Sequence, residues 1–446
     1  MSSLYSSLCE KLILPAADAL TSNCVMSSYA LFKKAQWWDR ERLAALQEDL
    51  LKKTVATAYA EVPFYRDAFD ACGVAPDGIA GVEDLRRLPV VTKRDLKENY
   101  PQNCTRATGR PWSEYFTSGS SGEPFAVRID NYTMSRARAL MFLRANFSGW
   151  RIGDPFAQTG MTLERGVIKR VKDTLLRVEY LSAFDLSDPV LDRYLDLIDK
   201  KRLRYLMGYA GSLYCLASRA QEVGFNRPLD GIVSWGDNLY EHYRSAVERA
   251  FSCRVTDTYG CGEGIQIAAQ CGAADGAYHV FMPHVIVEIV DDEGNPVPDG
   301  ETGNVLLTRL DPGAMPLIRY RVGDLARKST KGSCSCGRTW EMLAKIEGRD
   351  TDVVVTPRGN RLIVHFFTGI MEYFPAIETF RVVQERRGEI TVEIVPAEGF
   401  SDRVWEEVKG EILAKGDRDL AVQLKLVSEI PLSASGKRRF VVSRVS

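Results

Sequence analysis

Between residues 177 and 251 the chain alternates short apolar segments with longer amphipathic ones, and no other feature limits its fold as strongly. The apolar segments are Arg177–Phe184, Tyr205–Gly208 and Gly231–Trp235. Helical patterns follow the first and the last of them, at Pro189–Lys201 and at Tyr240–Phe251. Strands that alternate with helices in this way predict a mainly parallel sheet with helices packed against it.

The pattern changes twice further along the chain. From Tyr278 onward, pairs of strands replace the alternation, for example His284–Val290 and Gly303–Arg309. After Gly348 the remaining residues indicate a small α+β unit with a helix at Asp402–Ala414 and strands at Asp352–Thr356, Arg361–Phe367, Thr379–Gln384, Glu389–Val395 and Ala421–Leu426. We therefore predict a large α/β N-terminal domain, with mainly parallel sheets plus antiparallel strands, over residues 1–347. A small α+β C-terminal domain covers residues 348–446.

Charge and hydropathy exclude several classes of protein. The 446 residues carry 58 Lys and Arg against 59 Asp and Glu, so we expect no nucleic-acid partner. No apolar run reaches the ~20 residues needed to cross a bilayer, which predicts no stable membrane insertion. The N-terminus lacks the basic segment of a secretory signal, and we expect a cytoplasmic protein. Residues 2–40 fit either a weakly membrane-associated amphipathic segment or, as we prefer, a docking helix.

A loop of glycines and hydroxyls is the strongest local signal. The loop runs through Thr117, Ser118, Gly119, Ser120, Ser121 and Gly122 between two strand-like segments. Glycines let backbone N–H groups approach an anion closely, and hydroxyls add donors, so the loop suits a polyphosphate. A solvated hairpin turn is the ordinary alternative, and the absent lysine excludes a Walker loop.

Carboxylates occur in two further motifs. Glu263 lies in the glycine-rich stretch Asp257–Gly264, and its oxygens suit Mg²⁺ held against phosphates. Asp324 closes the stretch Ile318–Asp324, where it could accept hydrogen bonds from two ribose hydroxyls. A simple turn and a helix cap or surface ion pair are the respective alternatives.

Two basic residues complete the set. Arg349 lies in the segment Gly348–Asp352, where the predicted domains meet. Lys437 belongs to a Ser/Gly-rich segment near the C-terminus. An isolated lysine is usually solvated, but one on a mobile loop can offset charge on a transferring group.

Taken in order, these motifs resemble those of the adenylate-forming superfamily, in particular its branch of phenylacetate–CoA ligases and CapK-type proteins. The likeness runs from about Trp37 to Lys437 and includes Val62–Arg66, Leu88–Val90 and Pro316–Tyr320. It implies ATP and Mg²⁺ as cofactors, a small carboxylic acid as substrate, and CoA or an amine as the acyl acceptor.

The resemblance also implies roles for individual residues. Residues 117–122 would form the phosphate loop. Asp237, Tyr259 and Gly260 would line the adenine and acyl pocket, Glu263 would bind Mg²⁺, and Asp324 would bind ribose. Arg349 would fix the nucleotide, and Lys437 would bridge ATP and the acid during adenylation. The hinge position is Thr351, where the superfamily often has Asp or Lys. The segment 360–374 is more CapK-like than ligase-like, so the acceptor stays open.

Four residues form a candidate zinc site. Cys271 and His279 lie eight residues apart, and Cys334 and Cys336 follow after a strand pair. Three sulfurs and an imidazole make a closed structural site of the zinc type. The spacing matches no common zinc finger, so four unligated residues are the alternative. Cys261 is a substitute ligand in principle, although its place beside Glu263 favours a position in the pocket.

Three functions are compatible with these observations. The first is ATP-dependent, AMP-forming activation of a small acid, with aromatic acids among the candidates, followed by transfer to CoA. The second transfers the acyl group to an amine or amino sugar as an amide or ester. The third is an inactive nucleotide or acyl binder, which the joint presence of Glu263, Asp324, Arg349 and Lys437 disfavours. Tyr209, Trp235 and Phe147 are candidate acyl-pocket residues, and the sequence is also compatible with a homodimer.

Overall fold

The computed structural model describes residues 4–117, 125–160, 166–182, 186–236, 238–273, 276–349, 354–358, 361–362, 364–371, 373–431 and 439–445. Its α-helices are α1 (Leu4–Leu8), α2 (Leu14–Thr21), α3 (Val25–Ala35), α4 (Arg40–Glu61), α5 (Pro63–Ala71), α6 (Lys93–Asn99), α7 (Asn131–Phe147), α8 (Val167–Leu176), α9 (Asp188–Lys200), α10 (Ala210–Glu222), α11 (Glu241–Phe251), α12 (Val364–Met371) and α13 (Asp402–Lys415). A π-helical turn, Cys9–Ile13, joins α1 to α2, and short 3₁₀ turns lie at Pro76–Gly78 and Val82–Arg87.

The strands of the large domain are β1 (Trp112–Thr117), β2 (Phe125–Asp130), β3 (Phe156–Gly160), β4 (Val178–Ser182), β5 (Tyr205–Tyr209), β6 (Gly231–Trp235), β7 (Val255–Gly260), β8 (Gln266–Gln270), β9 (Tyr278–Val280), β10 (Val285–Val290), β11 (Thr302–Arg309), β12 (Tyr320–Lys328) and β13 (Met342–Arg349). The strands that follow are β14 (Val354–Val355), β15 (Arg361–Leu362), β16 (Ile377–Arg386), β17 (Glu389–Pro396), β18 (Ala421–Leu426) and β19 (Val441–Ser443).

One large mixed sheet organises the N-terminal part, in the order β10-β11-β12-β13-β9-β8-β7-β6-β5-β3-β4. The strands from β4 to β7 pair in parallel, as the alternation of strands and helices predicted. From β7 to β10 the pairing is antiparallel, which agrees with the predicted strand pairs. The predicted fold class is therefore confirmed, and the junction between the two halves lies at β7.

Local sequence explains where key helices begin and end. Helix α4 begins after Asp39, whose side chain accepts a hydrogen bond from the Arg42 backbone N–H at 2.8 Å. It ends before Pro63, which disfavours a helical conformation at Val62 and instead opens α5. Helix α7 begins after Asp130, which accepts from the Thr133 backbone N–H at 2.9 Å. Because Asp130 ends β2, this cap turns the β1–β2 hairpin directly into α7.

The C-terminal part has its own sheet and its own core. The sheet order is β18-β17-β16-β19, and α13 buries Trp405, Val408 and Ile412 against it. Tyr240 joins this core from the large domain, with its ring centroid 5.4 Å from that of Phe440. Strand β13 belongs to the large sheet up to Arg349, and the predicted boundary between residues 347 and 348 stays a prediction.

One prediction in this region is wrong. Arg361–Phe367 was expected to be a strand, but only Arg361–Leu362 pairs as β15, and helix α12 begins at Val364. The segment is a short, almost continuous apolar run, and such a run fits a buried strand and a buried helix equally well. Its burial against α13 decides in favour of the helix.

No helix in the described part of the chain combines the length and the low charge that crossing a bilayer requires.

Candidate active site and metal centre

The turn between β7 and β8 carries Glu263 into the protein interior. The Cys261 N–H donates to the Ile265 carbonyl at 3.0 Å, and the Gly264 N–H donates to the Cys261 carbonyl. Gly264 adopts φ +76°, a conformation that favours glycine. The turn is tight, and Glu263 is 95% buried as a result.

Two tyrosine hydroxyls hold the two predicted carboxylates. The Tyr320 hydroxyl donates to Glu263 Oε1 at 2.7 Å, and the Tyr259 hydroxyl donates to Asp324 Oδ2 at 2.8 Å. Burial and the adjacent carboxylates raise the pKa of both tyrosines far above the usual range, so both remain protonated donors. We call Tyr259, Glu263, Tyr320 and Asp324 the carboxylate wall.

Arg349 is placed beside this wall by strand register. Asp324 and Arg349 are direct partners in the antiparallel β12–β13 ladder. Asp324 is partly exposed, whereas Glu263 and Tyr320 are almost completely buried. The exposed edge of the wall therefore offers a carboxylate to a ligand, next to the strand position that carries an arginine.

The glycine and hydroxyl segment begins at the end of a hairpin strand. Thr117 and Phe125 are cross-strand partners in β1 and β2. Ser118, Gly119, Ser120, Ser121 and Gly122, together with Asp237, Thr351 and Lys437, lie outside the described residues.

The hairpin also packs against the turn that carries Glu263. A Cβ atom at Gly264 would lie 2.5 Å from Cδ1 of Ile129 in β2. The backbone of the Glu263 turn and the second hairpin strand are thus in close contact, which puts the hairpin beside the carboxylate wall.

Some residues of this region had no role assigned by the sequence analysis. Tyr320 belongs to the segment Ile318–Asp324 named above, but nothing in the sequence indicates its contact with Glu263, 57 residues away. Arg144 of α7 is buried, donates to Gln266 Oε1 at 2.8 Å and lies 4.9 Å from the Trp235 ring centroid. Burial lowers the pKa of Arg144 to about 10, so its charge persists at neutral pH. The sequence signal that could have identified Arg144 is a single arginine within the mainly apolar segment Ala139–Phe147.

The candidate acyl-pocket aromatics lie in two places. Tyr209 and Trp235 face one another edge to face, with ring centroids 6.4 Å apart. Phe147 instead lies 6.4 Å from the His279 ring and 4.0 Å from the Arg338 guanidinium. Cys261 lies beside Glu263, and burial raises its pKa well above the usual range for a thiol.

A separate cluster brings together Cys271, His279, Cys334 and Cys336, which we call the thiol cluster. Its four candidate ligand atoms all lie within 4.8 Å of one another. The Cys271 and Cys334 sulfurs are 3.5 Å apart, and Cys336 Sγ is 3.4 Å from His279 Nε2. Cys261 is not part of the cluster, so the structure does not support it as a substitute ligand.

The thiol cluster fits a tetrahedral zinc ion. Zn–S bonds of about 2.3 Å require neighbouring sulfurs about 3.8 Å apart, close to the separation observed. Backbone N–H groups of Cys336 and Arg338 point at the sulfurs of Cys334 and Cys336, each at 3.5 Å. Such donors stabilise thiolates, and the Arg338 contacts lower the pKa of Cys336 despite partial burial, which opposes the shift. Burial also lowers the pKa of His279 to about 4, leaving the imidazole neutral and able to bind a metal.

Comparison with known proteins agrees with this architecture. A sequence model of the AMP-binding enzyme family matches residues 177–313, and a model of the CapK C-terminal domain matches residues 354–444. The chain belongs to the adenylate-forming superfamily.

Individual members of this superfamily match along most of the chain. Phenylacetate-coenzyme A ligase of Thermus thermophilus is 28% identical over 85% of this chain and 87% of its own length. Protein CapK of Staphylococcus aureus is 20% identical over 82% of this chain and 81% of its own. Among solved structures, 2-hydroxyisobutyryl-CoA ligase in complex with 2-HIB-AMP matches with a TM-score of 0.70 and 20% identity, covering 91% of this chain and 90% of the ligase.

The two family matches divide the predicted site. Glu263 falls in the AMP-binding match and Lys437 in the CapK C-terminal match. Asp324 and Arg349 lie between the two matched ranges, where the β12–β13 ladder pairs them. The predicted site residues thus fall in both matched ranges and in the strands between them.

Proposed function

We propose that the protein uses ATP to activate a small carboxylic acid as an acyl-adenylate, and then transfers the acyl group to CoA as a thioester. The observation that carries this proposal is the carboxylate wall. Two acidic side chains with different exposure are held by buried phenols on strands β7 and β12 of the same sheet. A metal-bound polyphosphate and a ribose need acceptors of these two kinds.

The chemistry follows from the poor reactivity of a carboxylate. In the first step a carboxylate oxygen attacks the α-phosphorus of ATP, the bond to the β-phosphate oxygen breaks, and pyrophosphate leaves. The acyl carbon now carries AMP as a good leaving group. In the second step the thiolate of CoA attacks that carbon, a thioester forms, and AMP leaves with the electron pair of the broken C–O bond.

Each residue has a proposed role in the first step. Glu263 would hold Mg²⁺, which supplies positive charge against the phosphates. Asp324 would accept hydrogen bonds from the ribose hydroxyls, with Tyr259 fixing its orientation. Arg349, on the adjacent strand, would bind the nucleotide. Lys437 would neutralise charge shared between the acid and the α-phosphate as the transition state forms.

The proposed nucleotide site includes further residues. Residues 117–122 would cradle the phosphates, and Asp237 and Gly260 would line the adenine and acyl pocket. Thr351, just after β13, would be the hinge about which the small domain moves between the two steps.

Transfer to an amine or amino sugar is the second candidate. The observation that favours it is the match of residues 354–444 to the CapK C-terminal domain, because this small domain would present the acyl acceptor. An inactive binder is a third, weaker hypothesis, since Glu263, Asp324, Arg349 and Lys437 together would supply the charges that the reaction needs.

We also propose a structural zinc ion in the thiol cluster. Cys271 follows β8, His279 lies in β9, and Cys334 and Cys336 lie in the connection from β12 to β13. Four protein ligands leave no open position, so the ion would stabilise these connections and take no part in the reaction.

Isotope exchange between ATP and pyrophosphate, screened over a library of small acids, tests the first step. Exchange should require one class of acid and Mg²⁺, and Glu263→Gln should lower the exchange rate and raise the Mg²⁺ concentration that exchange needs. Product analysis with CoA and with amines then identifies the acceptor. Absence of exchange with every acid, in protein that binds ATP, would favour the inactive binder.

A further inference from the structure

Half of the exposed large hydrophobic side chains in the described part of the chain lie on two helical segments. The first segment runs through α1, the π-helical turn and α2, and the second is α8. We call their exposed side chains the aliphatic face, which consists of Leu4, Leu8, Leu12, Leu20, Val167, Val171 and Leu175. Leu4 is 89% exposed, Leu20 87% and Val167 77%, values that a folded protein rarely tolerates together without a partner surface.

The spacing collects these residues into two stripes. Leu4, Leu8 and Leu12 are four residues apart, as are Val167, Val171 and Leu175. Residues four apart lie on the same side of a helix, so each segment presents an aliphatic stripe to solvent.

The two segments meet at one end. The Tyr5 hydroxyl donates to the Leu175 carbonyl at 2.7 Å. The Arg177 guanidinium lies 4.6 Å from the Tyr5 ring centroid, which fixes the end of α8 against α1. The two stripes are therefore carried by segments that touch each other at this contact.

The exposed charged residues of the two described segments are basic. Helix α8 exposes Lys169, Arg170 and Lys172, whereas its acidic residue, Asp173, is buried. Lys11 is likewise exposed beside Leu12.

The acidic residues of the first segment have internal partners. Glu10 pairs with Lys33 at 2.8 Å, and Asp18 Oδ2 accepts from the Met26 backbone N–H at 2.7 Å. Aliphatic side chains flanked by exposed bases, with the acids engaged elsewhere, are the pattern of a surface that contacts anionic lipid.

We propose that the aliphatic face binds reversibly to the surface of an anionic lipid bilayer. The two helical segments would lie in the plane of the interface, with leucine and valine side chains among the upper acyl carbons. Lysine and arginine side chains would remain at the level of the headgroups. This binding is peripheral and independent of the proposed ligase activity.

A second copy of the chain fits this face less well. In a twofold dimer the same surface meets itself, so the basic residues of α8 would face their own copies. Like charges brought together in this way oppose association, whereas anionic lipid headgroups complement them.

Co-sedimentation of the full chain with vesicles tests the proposal. Vesicles of equal parts phosphatidylglycerol and phosphatidylcholine should bind the protein, and raised salt should weaken that binding. The double variant Lys169→Glu with Lys172→Glu should lose about tenfold or more in affinity, since each base contributes near an anionic surface. Val167→Ser with Val171→Ser should lose affinity as well, because it removes the side chains that insert.

Controls separate this surface from the rest of the molecule. Val223→Ser changes a valine that is 47% exposed beyond the end of α10, and it should bind vesicles like the wild type. ATP–pyrophosphate exchange in solution should be the same in all four proteins.

Three results would overturn the proposal. The first is no binding to anionic vesicles at low salt. The second is equal binding to vesicles of phosphatidylcholine alone. The third is a dimer in sedimentation velocity that the Val167→Ser with Val171→Ser variant dissociates, which would assign the face to a second copy of the chain.

Discussion

The carboxylate wall and the thiol cluster lie in the same antiparallel half of the large sheet, yet they are suited to opposite purposes. The wall spans β7 to β12 and presents oxygen donors held by phenol hydroxyls. The cluster joins β8, β9 and the β12–β13 connection and presents sulfur and nitrogen donors held close together. The wall offers hard oxygen ligands, of which Asp324 is partly exposed, and the cluster offers a closed set of soft ligands.

The difference shows how a single sheet can carry one site for ligands that come and go and another site for an ion that stays bound. Carboxylate oxygens that keep an exposed edge suit Mg²⁺ and a nucleotide, which enter and leave in each turnover. Three thiols and an imidazole satisfy a zinc ion completely, so that ion would stay. Substitutions in the carboxylate wall should therefore lower the reaction rate, and substitutions in the thiol cluster should lower the stability of the fold.

The largest expected effect on rate comes from Lys437. Lys437→Ala should lower ATP–pyrophosphate exchange by roughly a hundredfold or more, because it removes charge needed mainly in the transition state. Circular dichroism and melting temperature should remain those of the wild type. Near-normal exchange would remove Lys437 from the first step, and a loss confined to thioester formation would assign it to the acceptor.

The next largest effect on rate is expected at Tyr320, and it tests whether this tyrosine–carboxylate pair differs from others that are buried. Tyr320→Phe removes the hydroxyl that holds Glu263, and we expect about a tenfold loss of exchange, the usual cost of a hydrogen bond to a charged group. The Mg²⁺ concentration needed for half-maximal exchange should rise with it.

Tyr278→Phe is the matched control for that variant. The Tyr278 hydroxyl donates to Asp257 at 2.6 Å, also within the buried sheet, but Asp257 has no proposed ligand. Loss of the Tyr278 hydroxyl should lower the melting temperature without changing the Mg²⁺ requirement. If both variants shift the Mg²⁺ requirement equally, Tyr320 has no specific part in holding Glu263.

The smallest effect on rate is expected at the thiol cluster. Cys334→Ser should lower the zinc content of protein purified without a histidine tag from one per chain, and should lower the melting temperature, because structural zinc contributes folding free energy. Exchange measured well below the melting temperature should change only slightly. Cys253→Ser, a partly buried cysteine outside the cluster, should retain the metal.

Two outcomes would contradict the proposed difference between the carboxylate wall and the thiol cluster. Metal-free wild-type protein with an unchanged melting temperature in Cys334→Ser would leave the cluster as four unligated side chains. A reaction that requires zinc and ignores Mg²⁺ would make the cluster catalytic.

The sequence predicted the ligand types of both regions, because side-chain chemistry and the residues next to each ligand can be read directly from the sequence. Glu263 and Asp324 were identified from glycines and strands next to them, and the four cluster residues from their chemistry. The partners of the carboxylates were not predictable. Tyr259 and Asp324 are 65 residues apart, and only the strand order of the sheet brings them to 2.8 Å.

The error at Arg361–Phe367 has a different cause. Local propensity could not separate strand from helix in an apolar run of that length, and packing against α13 decided it. The parallel half of the sheet was predictable because each of its elements is long enough to show its own period.

The contact between Gly264 and Ile129 restricts how this site can vary among related chains. Any larger residue at position 264 would need both a different backbone angle and a smaller neighbour at position 129. The two positions are therefore expected to change together, although 135 residues separate them in sequence. A graft that brings in the β1–β2 hairpin of another member should carry its own residue 129, or restore isoleucine, to keep Glu263 in place.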